Sequence, residues 1–368
     1  MKLKRSIVLL LSLTLSFTYV FCTACNSSPK ELCVQLTNRY ENGEVARCIW
    51  DMYLKDNKIY LGGGDYDTNS GPTDICAYDL KKKEIVVTGR IQDEAVLTFM
   101  EIDGQLYAPG TDPRSSSSNG DFYTLSEDGW KQHKVLPRTK HNFDLIKFED
   151  KLYAGIGGDY TFNPIVVSED GGVTFDFIPL YKNGEELPPL KEPDFSRCYD
   201  FYTLNGKLYS LLCFYIDGAY TFEIYCLQDG KMQFVTSATS LDFTKRAGHR
   251  VISAKQEYNG KIYVVTNSLY SSENGSSFNK ITLLNNDVVS DFIIENDIMY
   301  VLAFNKLTDD TFDINIYTYN LNDGEIEIFK SFNYEVPALS FIKVKKSFYL
   351  GMGNSRALHE KNGTLIKL

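Results

Sequence analysis

Four aspartates occupy the same place in a recurring pattern. Asp51, Asp144, Asp200 and Asp291 each stand nine residues before a tyrosine that follows an apolar residue, and the other copies of that place hold Thr98, Ala254 and Ser340. Carboxylates brought to one level in this way suit sugar hydroxyls, a cation or a basic side chain, or else accept backbone N–H groups from neighbouring repeats. A second pattern sets an aspartate beside a phenol: Gly63-Gly64-Asp65-Tyr66 with Asn69, and Gly157-Gly158-Asp159-Tyr160 with Asn163. The glycine pairs allow a sharp turn that presents Asp and Tyr together. Arg47, Arg197 and Arg250 lie shortly before the strands that carry the aspartates. They could receive an anionic ligand or pair with the same carboxylates. Calcium prefers carboxylate and carbonyl oxygen, but no ligand spacing specifies it, and no cofactor is expected. The four histidines are scattered, no Cys-x-x-Cys occurs, and the Gly62–Asp65 run does not open a helix, which argues against zinc and phosphate-loop chemistry. Hydrolase signatures of the G-x-S-x-G and H-E-x-x-H kinds are absent from the chain.

The elements that must position these residues are strands. An apolar strand, a tight polar turn and a second strand with the tyrosine recur at Tyr60, Tyr107, Tyr153, Tyr209, Tyr263, Tyr300 and Tyr349. The separations are 47, 46, 56, 54, 37 and 49 residues. Asn-Gly and Asp-Gly between alternating runs mark hairpins. A second strand–turn–strand pair follows each of these hairpins, as in 75–87, 121–135, 222–235 and 314–329, and finally in 356–368. Four strands per unit, repeated seven times without helical periodicity, make an all-β chain and a β-propeller of seven four-stranded blades over 46–368. The 25 tyrosines, 23 phenylalanines and 26 glycines of this 368-residue chain fit that reading. The final unit is expected to supply its own fourth strand at Thr364–Leu368, with Cys33–Leu36 packed against it. Turns between first and second strands, and between third and fourth, are short. The long segments 62–74, 109–121, 155–164, 180–197 and 239–250 all fall on the opposite face, so that face is the candidate binding surface.

Ser168-Glu169-Asp170-Gly171-Gly172-Val173-Thr174-Phe175 resembles the Asp-box of bacterial neuraminidase-repeat propellers, S-x-D-x-G-x-T-[WF]. Ser271–Phe278 is similar to a degraded copy, with Glu273 in place of Asp and Ser277 in place of Thr, and Ser126–Trp130 looks like a truncated one. The resemblance implies structural roles for Ser168, Asp170, Gly172, Thr174 and Phe175 at the turn between third and fourth strands. Sialidases share that box and bind a substrate carboxylate with three arginines. Here the Arg-Ile-Pro signature is missing, and no tyrosine–glutamate nucleophile pair can be assigned.

Residues 1–24 read as a signal peptide: Lys2, Lys4 and Arg5 precede a short apolar stretch. Cys22-Thr23-Ala24-Cys25 resembles a lipoprotein lipobox, which implies lipidation at Cys25 and a tether over 25–45. The expected location is therefore the bacterial cell surface or periplasm, with membrane contact through the lipid anchor alone. A formal charge of −10, concentrated further once the basic leader is removed, disfavours nucleic acid. The six other cysteines form either disulfides or small buried apolar positions. These features describe a monomeric binding or scaffold module for a glycan or an envelope protein, with no catalytic residue assigned. A sialidase-like glycan hydrolase and an assembly factor for a membrane-protein client are the alternatives.

Overall fold

The computed structural model describes residues 29–33, 48–64, 71–113, 120–135, 139–158, 163–243, 251–285, 287–308, 311–354 and 359–368, and among them there is no helix. Antiparallel pairing divides these residues into seven successive four-stranded units, arranged as a β-propeller. The first unit consists of Cys48–Lys55, Lys58–Gly64, Thr73–Asp79 and Glu84–Ile91. The fourth consists of Phe195–Leu204, Lys207–Ile216, Ala219–Gln228 and Lys231–Ser237.

Local chemistry explains the hairpins. The turns between first and second strands sit on Asp56-Asn57, Asp103-Gly104, Glu149-Asp150, Asn205-Gly206, Asn259-Gly260 and Asn296-Asp297, all at positive φ. Two left-handed residues in a row match the twist of the flanking strands, and Asn, Asp and Gly tolerate that conformation best. The repeated tyrosine then packs toward a neighbouring unit. Tyr60 meets Trp130 of the second unit edge-on at 6.0 Å, and the Tyr209 hydroxyl donates to the Asn274 carbonyl of the fifth unit at 3.1 Å. Apolar clusters therefore lie between units; one joins Ile49, Leu61, Leu302, Ile314, Phe341 and Leu350 from the first, sixth and seventh.

The ring closes differently from the expectation. Leu365–Lys367 is the third strand of the seventh unit, and the fourth is Lys30–Cys33, paired antiparallel through Lys30↔Lys367 and Glu31↔Ile366. The final unit is thus completed from upstream of residue 46, by part of the segment read as a tether. The Glu31 carboxylate accepts from Lys361 at 2.9 Å and from the Tyr334 hydroxyl at 2.6 Å, and these two bonds hold its pKa below the usual range. On the inner side, Cys48 bridges Gly353 and the Ser340 hydroxyl donates to the Ile49 carbonyl, joining the seventh unit to the first.

The segment 180–197 is also placed differently. Leu180–Lys182 runs parallel to the outer strand of the fourth unit and turns at Asn183-Gly184 into Glu185–Glu186. Its first half covers a sheet edge instead of standing on the loop face.

Candidate functional site

The four register aspartates sit at β-bulges of the innermost strands, where pairing slips between Ile49 and Asp51, Asn142 and Asp144, Cys198 and Asp200, and Val289 and Asp291. A bulge redirects the side chain along the strand. In three of them one carboxylate oxygen accepts the next residue's own N–H: Met52 to Asp51, Leu145 to Asp144, Phe292 to Asp291. The other oxygen of each of the four accepts an N–H from the following unit: Phe99 to Asp51, Phe201 to Asp144, Ile252 to Asp200, Phe341 to Asp291. Lys255 reaches across to both Asp144 and Asp200. Asp144 lines one and Asp51 and Asp291 the other of two adjoining central cavities of about 660 and about 490 Å³, and all four carboxylates hold neighbouring units together. Their chemistry is that of inter-unit fasteners, which accounts for their repetition without a ligand.

On the loop face the structure gathers other groups. Arg197 begins the inner strand of the fourth unit, its guanidinium 4.7 Å from the Phe195 ring centre and donating to the Tyr199 hydroxyl at 3.2 Å. An aromatic chain lies beside it: His141 stacks on Phe143 at 4.9 Å, Phe143 meets Tyr199 at 4.6 Å, Tyr199 meets Phe222 at 6.4 Å, and Phe222 stacks on Phe243 at 4.3 Å. A second row runs outward along the fourth unit, Phe195 to Tyr215 at 5.1 Å and Tyr215 to Tyr220 at 4.8 Å.

Below this surface lies a buried polar cluster where the first three units meet. Asp93 and Glu94 come from the connection into the second unit, Asp112 and Asp121 from the ends of its loop, and His141 from the start of the third unit. Short pairings Ala95↔Thr111 and His141↔Thr111 bind these segments side by side. Burial pushes the Asp93 carboxyl up to about 7, against a hydrogen bond donated by the Tyr123 hydroxyl, and Asp121 and Asp112 add to the rise. Burial likewise raises Asp112 and Asp121. It lowers His141 to about 3, with Arg197 and Lys140 adding to the effect, and Asp112 Oδ1 stands 3.1 Å from its Nδ1. Among the described residues Asp93 Oδ1 and Asp121 Oδ1 are buried without a hydrogen-bond partner. Desolvation of this kind favours the protonated acid and the neutral imidazole.

Asp65, Tyr66, Asp159, Tyr160, Arg47, Arg250 and Cys25 lie outside the described residues. Their flanks are placed: Gly64 pairs with Ala95 beside Glu94, and Gly157 pairs with Arg197, so both Gly-Gly-Asp-Tyr loops leave the sheet at the edge of this cluster. Among the described residues no group of three or more His, Cys, Asp or Glu is arranged to hold a metal ion. The six described cysteines are free thiols, five of them buried.

The Ser168–Phe175 turn is closed by its own side chains. Asp170 Oδ1 accepts from the Ser168 hydroxyl and from the N–H groups of Val173 and Thr174, while Oδ2 accepts from the Thr174 hydroxyl at 2.6 Å. Those bonds hold the Asp170 pKa well below the carboxylate range. Ser168 Oγ also accepts the Gly172 N–H, and Phe175 is buried edge-on against Phe122 of the preceding unit. In the degraded copy the register shifts by one. Asn274, not Glu273, accepts from Ser272, Ser276 and Ser277, and Glu273 turns out to an ion pair with Lys261 at 2.9 Å. Ser126–Trp130 is an ordinary tight hairpin, closed by Ser126 Oγ donating to the Gly129 carbonyl.

No protein-family model matches the chain. It is similar to Kelch repeat and BTB domain-containing protein 1 of Ectromelia virus (strain Moscow), 29% identical over 158 residues, which is 42% of this chain and 27% of that protein. The protein of the same name from Cowpox virus (strain GRI-90 / Grishak) is 28% identical over 108 residues, 29% of this chain and 18% of the relative. The chain therefore spans about a quarter or less of the length of these relatives. Among solved structures, a polysaccharide lyase, the PL25 ulvan lyase, aligns with a TM-score of 0.50 and 11% identity over 92% of this chain and 95% of the other. That likeness is one of fold, and it agrees with the propeller seen here.

Sequence reasoning passed over the buried cluster and the aromatic rows. Asp93-Glu94 carries no motif, although the apolar Ala95-Val96-Leu97 that follows was a sign of burial. Phe195-x-Arg197-x-Tyr199 and His141-x-Phe143 alternate with the two-residue strand period, which puts each set on one side of its strand. That alternation was the available signal for the platform.

Proposed function

We propose that this chain is a binding module that uses the loop face of its propeller to recognise a glycan or protein partner at the cell envelope. One observation carries the reading: the two faces are built differently. Short turns close one face, two residues long at the inner hairpins, while the other gathers Arg197, partly exposed aromatic rings and the roots of the long loops over a buried carboxyl cluster. A rigid scaffold that concentrates amphipathic rings and a few polar groups on one side has the composition of a recognition surface. The similarity to Kelch-repeat proteins agrees with a propeller used as a scaffold. The sequence Cys22-Thr23-Ala24-Cys25 supports export and lipid anchoring, and several acyl chains on Cys25 would hold the chain at the membrane surface.

Binding of the soluble chain from residue 26 to immobilised envelope fractions tests the reading. Arg197→Ala is expected to weaken binding about tenfold or more, and Lys55→Ala, on the turn face, to leave it unchanged. Equal loss in both variants, or loss only with Lys55→Ala, rejects this face. Incorporation of labelled fatty acid in the full chain, abolished by Cys25→Ser, tests the anchor.

A further inference from the structure

We infer that the outer aromatic row of the fourth unit is a stacking platform for a neutral, pyranose-based glycan, an inference that rests on the loop-face reading above. Phe195, Tyr215 and Tyr220 are direct cross-strand partners on three adjacent strands, so their rings rise side by side from one side of the sheet. The centroid steps are 5.1 and 4.8 Å, and Phe195 meets Tyr220 edge-on at 6.2 Å. Tyr220 is 62% exposed.

The support beneath the row is rigid. Arg197 lies over the Phe195 ring and is itself held by the Tyr199 hydroxyl. The hairpin that carries Tyr215 and Tyr220 closes through Asp217-Gly218, both left-handed, and the Asp217 N–H donates to Asp194 Oδ1 at 3.1 Å. That bond ties the hairpin tip to the residue before Phe195. The rings are therefore set before any ligand arrives, and little conformational freedom remains to be lost on binding.

The chemistry of the row selects its ligand. A pyranose has an apolar C–H face and a rim of hydroxyls. Tyr215 and Tyr220 offer a ring face for the first and a phenol for the second, and the Asp194 and Asp217 carboxylates at the tip are hydroxyl acceptors. A partner helix would call for a groove with aliphatic walls, and this is an open row of rings, with the exposed Ile216 standing on the other side of its strand. Sialylated or uronate-bearing glycans would meet the two tip carboxylates, and the guanidinium lies on Phe195. The predicted preference is therefore for uncharged sugars.

The test uses the soluble chain from residue 26 on an array of neutral cello-, malto-, xylo- and manno-oligosaccharides, with sialylated and uronate oligosaccharides alongside. Hits are followed by calorimetric titration. A neutral oligosaccharide is expected to bind, Tyr220→Ala and Tyr215→Ala each to weaken it about tenfold, and Tyr220→Phe to stay within about threefold. Because Tyr220 is largely exposed, an unchanged melting temperature for Tyr220→Ala separates lost contact from lost fold. No binding of any neutral member, or binding of charged members only, overturns the platform. Binding cut by Arg197→Ala but by neither tyrosine variant also overturns it and leaves the loop-face reading in place. If none of the three variants changes any interaction, both fall.

Discussion

Asp93 and His141 are neighbours in one buried cluster, yet they pull stability in opposite directions with pH. In the unfolded chain an aspartate releases its proton near 3.9, whereas Asp93 in the fold keeps it up to about 7. Between those values the native state holds a proton that the unfolded state has lost, so this residue's contribution is full below about 4 and is lost as pH rises toward 7. His141 is neutral in the fold down to about 3, while an unfolded histidine takes up its proton near 6.5; its contribution is present above that value and is lost as pH falls. Each slope approaches about 1.4 kcal/mol per pH unit, so the two largely cancel between pH 4 and 6.5 in the intact chain. Asp93→Asn is expected to shift the balance toward the histidine, opposed only by the raised Asp112 and Asp121, with urea midpoints falling as pH drops from 6.5 to 4.5, and His141→Phe to show the reverse. Identical pH profiles for Asp93→Asn and the unaltered chain would show that Asp93 is already ionised in the fold. From the sequence, Asp93-Glu94 was only a pair of acids. Their neighbours in space come from three different units, and no local pattern announces that.

At the scale of the element, the aspartate register was legible as a repeat and Ser168–Phe175 as a turn motif, and the structure decides what each carboxylate does. Asp144 is buried, spans the third and fourth units through the Phe201 N–H, and contacts Lys255 of the fifth. Asp144→Ala is expected to cost about 3 kcal/mol in urea unfolding, because two N–H groups and an ammonium lose their acceptor, and Asp144→Asn less. A loss below about 0.5 kcal/mol would mean that the units are held by apolar packing alone. The box allows a sharper comparison at its two glycines. Gly171 has φ +76 with open space around it, while Gly172 has φ +92 and a Cβ there would meet Phe122 at 3.1 Å. Gly171→Ala should therefore cost only the conformational penalty of about 1 kcal/mol, and Gly172→Ala about 1–2 kcal/mol more, read from thermal melts. The degraded copy shows the limit of pattern matching. Asn274 accepts the turn N–H groups as Asp170 does, one position away from where the motif places its acid.

For the whole molecule the deciding feature is the closure. Lys30–Cys33 completes the unit built from the opposite end of the chain, and Glu31 pins it to Lys361 and Tyr334. A propeller closed this way couples its ends, so a chain beginning at residue 34 is expected to lose about 2–4 kcal/mol relative to one beginning at residue 29, measured by urea unfolding. Equal stability of the two chains would show that the inner contacts, Cys48 with Gly353 and Ser340 with Ile49, close the ring by themselves.

The sequence by itself determined the repeat and the hairpin turns, because these follow from neighbours a few residues apart: alternating side chains, left-handed Asn, Asp and Gly, and the tyrosine of each second strand. The opening pattern of four aspartates was visible in the same way. Only the tertiary structure decided that these carboxylates fasten adjacent units, that the first described strand finishes the last unit, and that Arg197 lies among aromatic rings over a buried acid cluster. Each of those arrangements depends on contacts between residues some fifty to three hundred positions apart, and their partners are chosen by the circular packing of the units and not by any local run of side chains.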